Sequence, residues 1–117
     1  MITYLENLLL NVSPWALLPL LGTVCYLQNM AFTWSSRSRN SGDPDYHRHA
    51  AWASNGVYIV THSIFLYLLY HTFITRDPLL MLATAIVYTV CTTEGSVRMM
   101  KILLAKEQGK RQVGARA

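Results

Sequence analysis

Charge is what this sequence has least of. Only 14% of its 117 residues are Asp, Glu, Lys or Arg, where a soluble domain carries about 25%, and the mean hydropathy is +0.23. That leaves too few polar side chains to clothe a water-facing surface, which excludes an ordinary soluble domain. The same scarcity excludes disorder, whose signature is low hydrophobicity with high charge. There are two cysteines, Cys25 and Cys91, and they form neither a C-x-x-C pair nor a secreted disulfide framework. Gly/Ser-rich linkers and internal repeats are missing, so one domain is expected. No nucleophile elbow, phosphate loop or H-E-x-x-H occurs. Enzymatic activity is therefore not expected, and neither is a cofactor. What remains is a small integral membrane protein.

The places where charge is missing define the spans. No Asp, Glu, Lys or Arg occurs between Glu6 and Arg37, between Arg48 and Arg76, or from Pro78 to Thr93. Crossing about 30 Å of hydrocarbon takes roughly 20 apolar residues at 1.5 Å each. The third window continues through Glu94 and Arg98 into Met99, Met100, Ile102 and Leu103. An all-α membrane protein with three transmembrane helices is predicted, at about 14–34, 50–74 and 78–103. A connector 35–49, a turn 75–77 and a basic tail 104–117 join and follow them, leaving no room for a soluble catalytic domain. The first span does not read as a cleavable signal, since no Lys or Arg precedes it.

Nine of the ten Lys and Arg fall on one side of this arrangement. They are Arg37, Arg39 and Arg48 in the connector and Arg98, Lys101, Lys106, Lys110, Arg111 and Arg116 at the end of the third span and in the tail, with Arg76 alone opposite. By the positive-inside rule the connector and C-terminus are cytoplasmic and the N-terminus is outside. The net charge of +4 then reflects topology and attraction to anionic lipid, about 1 kcal/mol per basic residue near the surface. A nucleic-acid partner is not expected, because residues 104–117 contain no aromatic stacking platform.

Local signals mark the helix ends. Ser13-Pro14 and Asp77-Pro78 each pair an N-cap type with proline at the first helical position, and Asp77 suits the positive end of a helix dipole. Leu5, Leu8, Leu9 and Val12 recur at helical spacing, which fits either an interfacial amphipathic segment or an extension of the first span. In the connector, residues 40–44 are rich in turn formers and predict a tight reversal. Asp43, Asp45, His47 and His49 alternate there and would share one side of an extended chain. That resembles a metal cluster, but it lacks the closed spacing of a zinc site, so no metal is assigned and a solvated loop is expected.

Each span carries a mildly polar stripe. Gly22, Tyr26, Asn29 and Thr33 share one face of the first; Asn55, Tyr58 and His62 share one of the second; Thr84, Tyr88, Cys91 or Thr92, and Gly95 share one of the third. Such residues serve as contacts between membrane helices; alternatively they line water, which would require several copies because three helices enclose no useful pore. Glu94 and Arg98 lie four apart and are expected to pair as an intramembrane charge pair, either at the inner boundary or in subunit contacts or pore lining. His62 and His71 are expected to be neutral and hydrogen-bonded, and Cys25 and Cys91 to be small packing residues.

The segment Gln28-Asn-Met-Ala-Phe-Thr-Trp-Ser-Ser-Arg-Ser-Arg-Asn40, followed by Tyr46-His47 and Ala50-Ala-Trp-Ala-Ser-Asn-Gly56, resembles small phage-encoded membrane proteins that carry a holin label. The whole chain, with three spans, an outside N-terminus and a short basic tail, resembles the class I holins of tailed bacteriophages. Unlike the charged start common in that class, Met1-Ile-Thr-Tyr-Leu-Glu6 has no Lys or Arg. The resemblance implies a protein of the bacterial inner membrane that forms homo-oligomers and opens lesions during host cell lysis. Two other readings fit the sequence. One is a membrane interaction protein without a pore, an exclusion factor or assembly scaffold whose connector 35–49 binds a cytoplasmic or phage partner. The other is a small ion-coupled transporter subunit built on Glu94 and His62.

Overall fold

The computed structural model describes residues 1–106, except the side chains of residues 5, 6 and 8–10. The described backbone contains helices and no strand. Helix α1 (Ile2–Asn11) is followed by a single 3-10 turn (Pro14–Ala16), then α2 (Leu17–Arg39), α3 (Pro44–Thr75) and α4 (Pro78–Lys106). The three long helices, α2 together with its leading turn, are each long and apolar enough to cross a membrane.

The helix boundaries follow from their caps. At Ser13 the backbone is extended, but its side chain makes no capping bond; proline therefore opens a 3-10 turn and α2 proper begins at Leu17. The second cap pair behaves as expected, with the Leu80 N–H donating to Asp77 Oδ1 at 3.1 Å. Asp43-Pro44 forms the same device inside the connector: Asp43 Oδ1 accepts from the N–H groups of Asp45 and Tyr46 at 3.1 and 3.2 Å. A capped first turn extends helix into polar sequence as readily as into apolar sequence. Thus α2 runs five residues beyond the predicted 34, α3 starts six before the predicted 50, and residues 40–43 alone form the reversal, turning through Gly42 at φ +77°. At the other end Arg76, at φ 51° and ψ 51°, provides a left-handed stop for α3, and the Asp77 N–H closes the turn on the Thr72 carbonyl.

Helix α2 lies between α3 and α4 and packs on both, whereas α3 and α4 touch each other far less. Near the α3–α4 hairpin, Leu18, Leu21 and Cys25 of α2 meet Leu68 of α3 and Leu80 of α4 in a buried apolar cluster. The remaining buried positions are largely polar: Gln28, Ser35, Ser38, Ser54, Thr61, Thr72 and Thr84. The outer faces are the reverse, with Ile59, Leu66 and Phe73 of α3 and Leu79, Leu82 and Ile86 of α4 all more than half exposed. In water so much exposed apolar surface would be an association hazard; in hydrocarbon it is the surface that needs no cover. Trp15 at one end of α2 and Trp34 near the other are separated by about 28 Å of helix, close to the thickness of a hydrocarbon core and suited to tryptophan at both interfaces.

Candidate functional site

Two of the three polar stripes meet. On α4, Gly95 packs directly against the backbone of Tyr26 on α2, where a side chain would collide with the Tyr26 carbonyl. A β-carbon on Gly22 would lie 3.1 Å from Cys91 Sγ and 3.3 Å from Val87. Two turns further along α2, the hydroxyl of Thr33 shares a 2.8 Å hydrogen bond with that of Ser96, next to Gly95 on α4. Close backbone approach through small residues, supplemented by an interhelical hydroxyl bond, is how membrane helices associate without a hydrophobic driving force. Tyr88 lies beside this seam with its ring 5.0 Å from that of Phe65 on α3, while Asn29 is half-buried.

The α3 stripe lies on a flank. Asn55 and Tyr58 are exposed and His62 is half-buried. His62 Nδ1 lies 3.0 Å from the Tyr58 carbonyl. A carbonyl can only accept, so Nδ1 carries the proton of this bond. The rings of Tyr58 and His62 stack at 3.8 Å, and Phe32 of α2 approaches Tyr58 at 6.1 Å. His71 differs from expectation: its Nδ1 is buried and has no hydrogen-bond partner among the described residues.

Helix formation from Pro44 disperses the alternating acidic and histidine residues of the connector. Asp43 caps α3, Asp45 pairs with Arg48 at 3.2 Å, and His47 Nδ1 bonds Ser38 Oγ at 2.9 Å. No group of three His, Cys, Asp or Glu able to hold a metal occurs among the described residues. Trp34 Nε1 donates to Tyr46 Oη at 2.9 Å, pinning the start of α3 against α2.

Glu94 and Arg98 are both exposed on α4. Neither forms an ion pair or side-chain hydrogen bond among the described residues, so the anticipated pairing between them is not made. They continue the helical stripe Val87, Cys91, Glu94, Arg98, whose first two members border an open apolar groove of about 580 Å³ between α2 and α4 with Gly22, Tyr26 and Leu27. Glu94 lies about 24 Å along α4 from Pro78, inside a hydrocarbon layer entered at that proline. The apolar neighbours Val90 and Val97 are 53% and 41% exposed. No hydrogen bond or ion pair joins Glu94 and His62 among the described residues.

Of the basic residues, Arg39, Lys101 and Lys106 are exposed and Arg37 is half-buried at the connector end; Lys110 and Arg111 lie outside the described residues. The structure adds one residue that charge and spacing do not single out. Gln28 is 2% exposed and its Oε1 has no hydrogen-bond partner among the described residues. Its only signal in the sequence is that of a lone long amide within an otherwise uncharged apolar run. Compared with known proteins, the chain matches no family model, no curated protein and no solved structure.

Proposed function

We propose that this chain is a holin-like phage protein that forms homo-oligomers in the bacterial inner membrane, N-terminus outside and C-terminus in the cytoplasm, and permeabilises that membrane during host lysis. The observation that supports this reading is Glu94, exposed on a face otherwise suited to lipid and without a partner among the described residues of its own chain. A charged side chain costs roughly 2.5 to 3.5 kcal/mol at mid-bilayer on insertion scales; Glu94, past the middle of the layer, bears part of that cost, and it is relieved when the face turns toward water or a neighbouring copy. The groove between α2 and α4 leads along the same stripe and offers a seat for a neighbour's helix. A ring of copies that presents Glu94 and Arg98 inward would have charged groups on its lumen and Ile59, Leu66 and Leu82 toward lipid.

Induced expression in a bacterium tests this directly. The expected result is abrupt loss of membrane potential, followed by lysis when an endolysin is co-expressed, with Glu94→Gln shifting the onset. Correct insertion with an intact potential would refute it. A reporter enzyme fused to the C-terminus and active only outside would refute the orientation.

A further inference from the structure

Hydroxyls inside membrane helices normally bond a carbonyl of their own helix, because no water is at hand to do so. This chain follows that rule with few exceptions: Thr23, Thr61, Ser63, Thr75, Thr84 and Thr93 each donate to the carbonyl four residues earlier at 2.8–2.9 Å. In α2, α3 and α4, the Ser and Thr side chains that make no hydrogen bond among the described residues are Ser35, Ser36, Ser54 and Thr89. The three serines line one cavity. It lies between α2 and α3 at the connector end, has a volume of about 520 Å³, and is completed by Arg39, His47 and Asn55. Ser35 is 7% and Ser54 4% exposed, and both border this space with hydroxyls that have no hydrogen-bond partner among the described residues.

The lining is a donor set. Arg39 makes no ion pair or hydrogen bond among the described residues, and its guanidinium presents paired N–H groups of the kind that hold phosphate oxygens in bidentate fashion. Asn55 adds an amide and the serines add hydroxyls. His47 is held in place from behind. The Ser38 hydroxyl donates to the Ser35 carbonyl at 2.9 Å, so its bond to His47 must receive the Nδ1 proton, and Nε2 of the neutral ring is an acceptor that adds no donor to those of Arg39, Asn55 and the serines. No carboxylate lines the cavity: Asp43 is engaged in capping α3, and Asp45 faces Arg48. A site of hydroxyl, amide and guanidinium groups without an acidic residue suits an anion that accepts many hydrogen bonds, and its volume lies within the range of roughly 300–1,000 Å³ typical of ligand sites.

The surroundings identify the source of that anion. Phe32 lines the same cavity and continues toward Tyr58, 6.1 Å away ring to ring, on the side of the hydrocarbon. A second, smaller depression beside it shares Ala51 and Asn55 and adds Arg48 and Trp52, and Trp52 is 76% exposed. Tryptophan and arginine beside an aromatic passage leading into the bilayer mark the headgroup level of a membrane. We propose that the cavity between α2 and α3 binds the phosphodiester headgroup of an anionic phospholipid, with Arg39 holding the phosphate, Ser35, Ser36, Ser54 and Asn55 bonding the oxygens of the phosphate and headgroup, and the first part of an acyl chain lying along Phe32 and Tyr58. This requires that the chain be inserted in a membrane; it does not require permeabilising activity.

Native mass spectrometry of the full chain, released from membranes containing phosphatidylglycerol and phosphatidylcholine, tests the assignment. The expected result is one phosphatidylglycerol retained per protomer in preference to phosphatidylcholine. Arg39→Gln should weaken retention roughly ten- to a hundredfold, as removal of a charge-assisted hydrogen-bonded contact does. Ser54→Ala should weaken it less, and Lys106→Gln, a basic residue of α4 outside the cavity, should leave it unchanged. Circular dichroism confirms that each variant remains helical. Equal retention by Arg39→Gln and Lys106→Gln would reduce the lipid to a general annulus and overturn the proposal, as would no preference for the anionic lipid. In a parallel arm the delipidated protein in detergent is titrated with inorganic phosphate. Binding of phosphate that phosphatidylglycerol fails to displace would assign the cavity to a soluble anion and contradict the lipid assignment.

Discussion

Replacing Gly95 with alanine puts the α2–α4 seam to its strictest test. The added β-carbon falls on the Tyr26 carbonyl oxygen and lies 2.9 and 3.0 Å from its C and Cα atoms, all backbone, so no side chain can swing aside. The helices must separate locally by about an ångström. Overpacking of this kind costs roughly 1–3 kcal/mol, and separation also strains the 2.8 Å Thr33–Ser96 bond, whose kind averages about 0.6 kcal/mol in membrane proteins. A total loss of about 2–3 kcal/mol is expected. Gly56 supplies the matched control: it lies inside α3, and a β-carbon added there would meet nothing within 4 Å, so Gly56→Ala should gain up to about 1 kcal/mol from helix propensity. Reversible unfolding in mixed micelles measures both. Equal stability of the two variants would refute the close packing of α4 on α2.

Three further outcomes follow from single contacts. Gln28→Met keeps the length of the side chain and removes the unpartnered buried Oε1, so unfolding in micelles should show a gain of about 1–3 kcal/mol; a loss would mean that the amide has a partner in the membrane. Arg76 holds a left-handed conformation that a β-branched side chain resists, so Arg76→Val should cost about 1–2 kcal/mol relative to Arg76→Gly, and equal melting temperatures would contradict the hairpin geometry. A double-mutant cycle of Thr33→Ala and Ser96→Ala should yield a coupling of about 0.6 kcal/mol and no more than about 1.7 kcal/mol; strict additivity would show that the two hydroxyls do not meet.

The three spans are legible in the sequence because charge is scarce enough that its gaps stand out, and the turn at residues 75–77 because Asp77 and Pro78 are adjacent. Helix ends in the connector are not legible by that route. Gaps in charge mark where hydrocarbon ends, and a helix capped by Asp43 runs on through Tyr46, His47 and Arg48 regardless. The Asp-Pro pair at 43–44 carries the same signal as that at 77–78 but sits among turn formers that mask it. Spacing groups Gly22, Tyr26 and Thr33 on one face, and α4 covers that face; it does not tell that Asn55, Tyr58 and His62 occupy a flank, because periodicity defines a face without naming its neighbour. The serines of the cavity are unremarkable in sequence. They stand out only against the other described Ser and Thr side chains of the three long helices, all of which except Thr89 make a hydrogen bond.

Whether copies of this chain cooperate to permeabilise a bilayer is read from dye release by liposomes holding the purified protein at increasing protein-to-lipid ratios. Little release is expected at low density, then a steep, higher-than-first-order rise above a threshold, with the threshold displaced by Glu94→Gln. Release that grows in simple proportion to protein, or none at any density with the three helices inserted, would contradict cooperative permeabilisation.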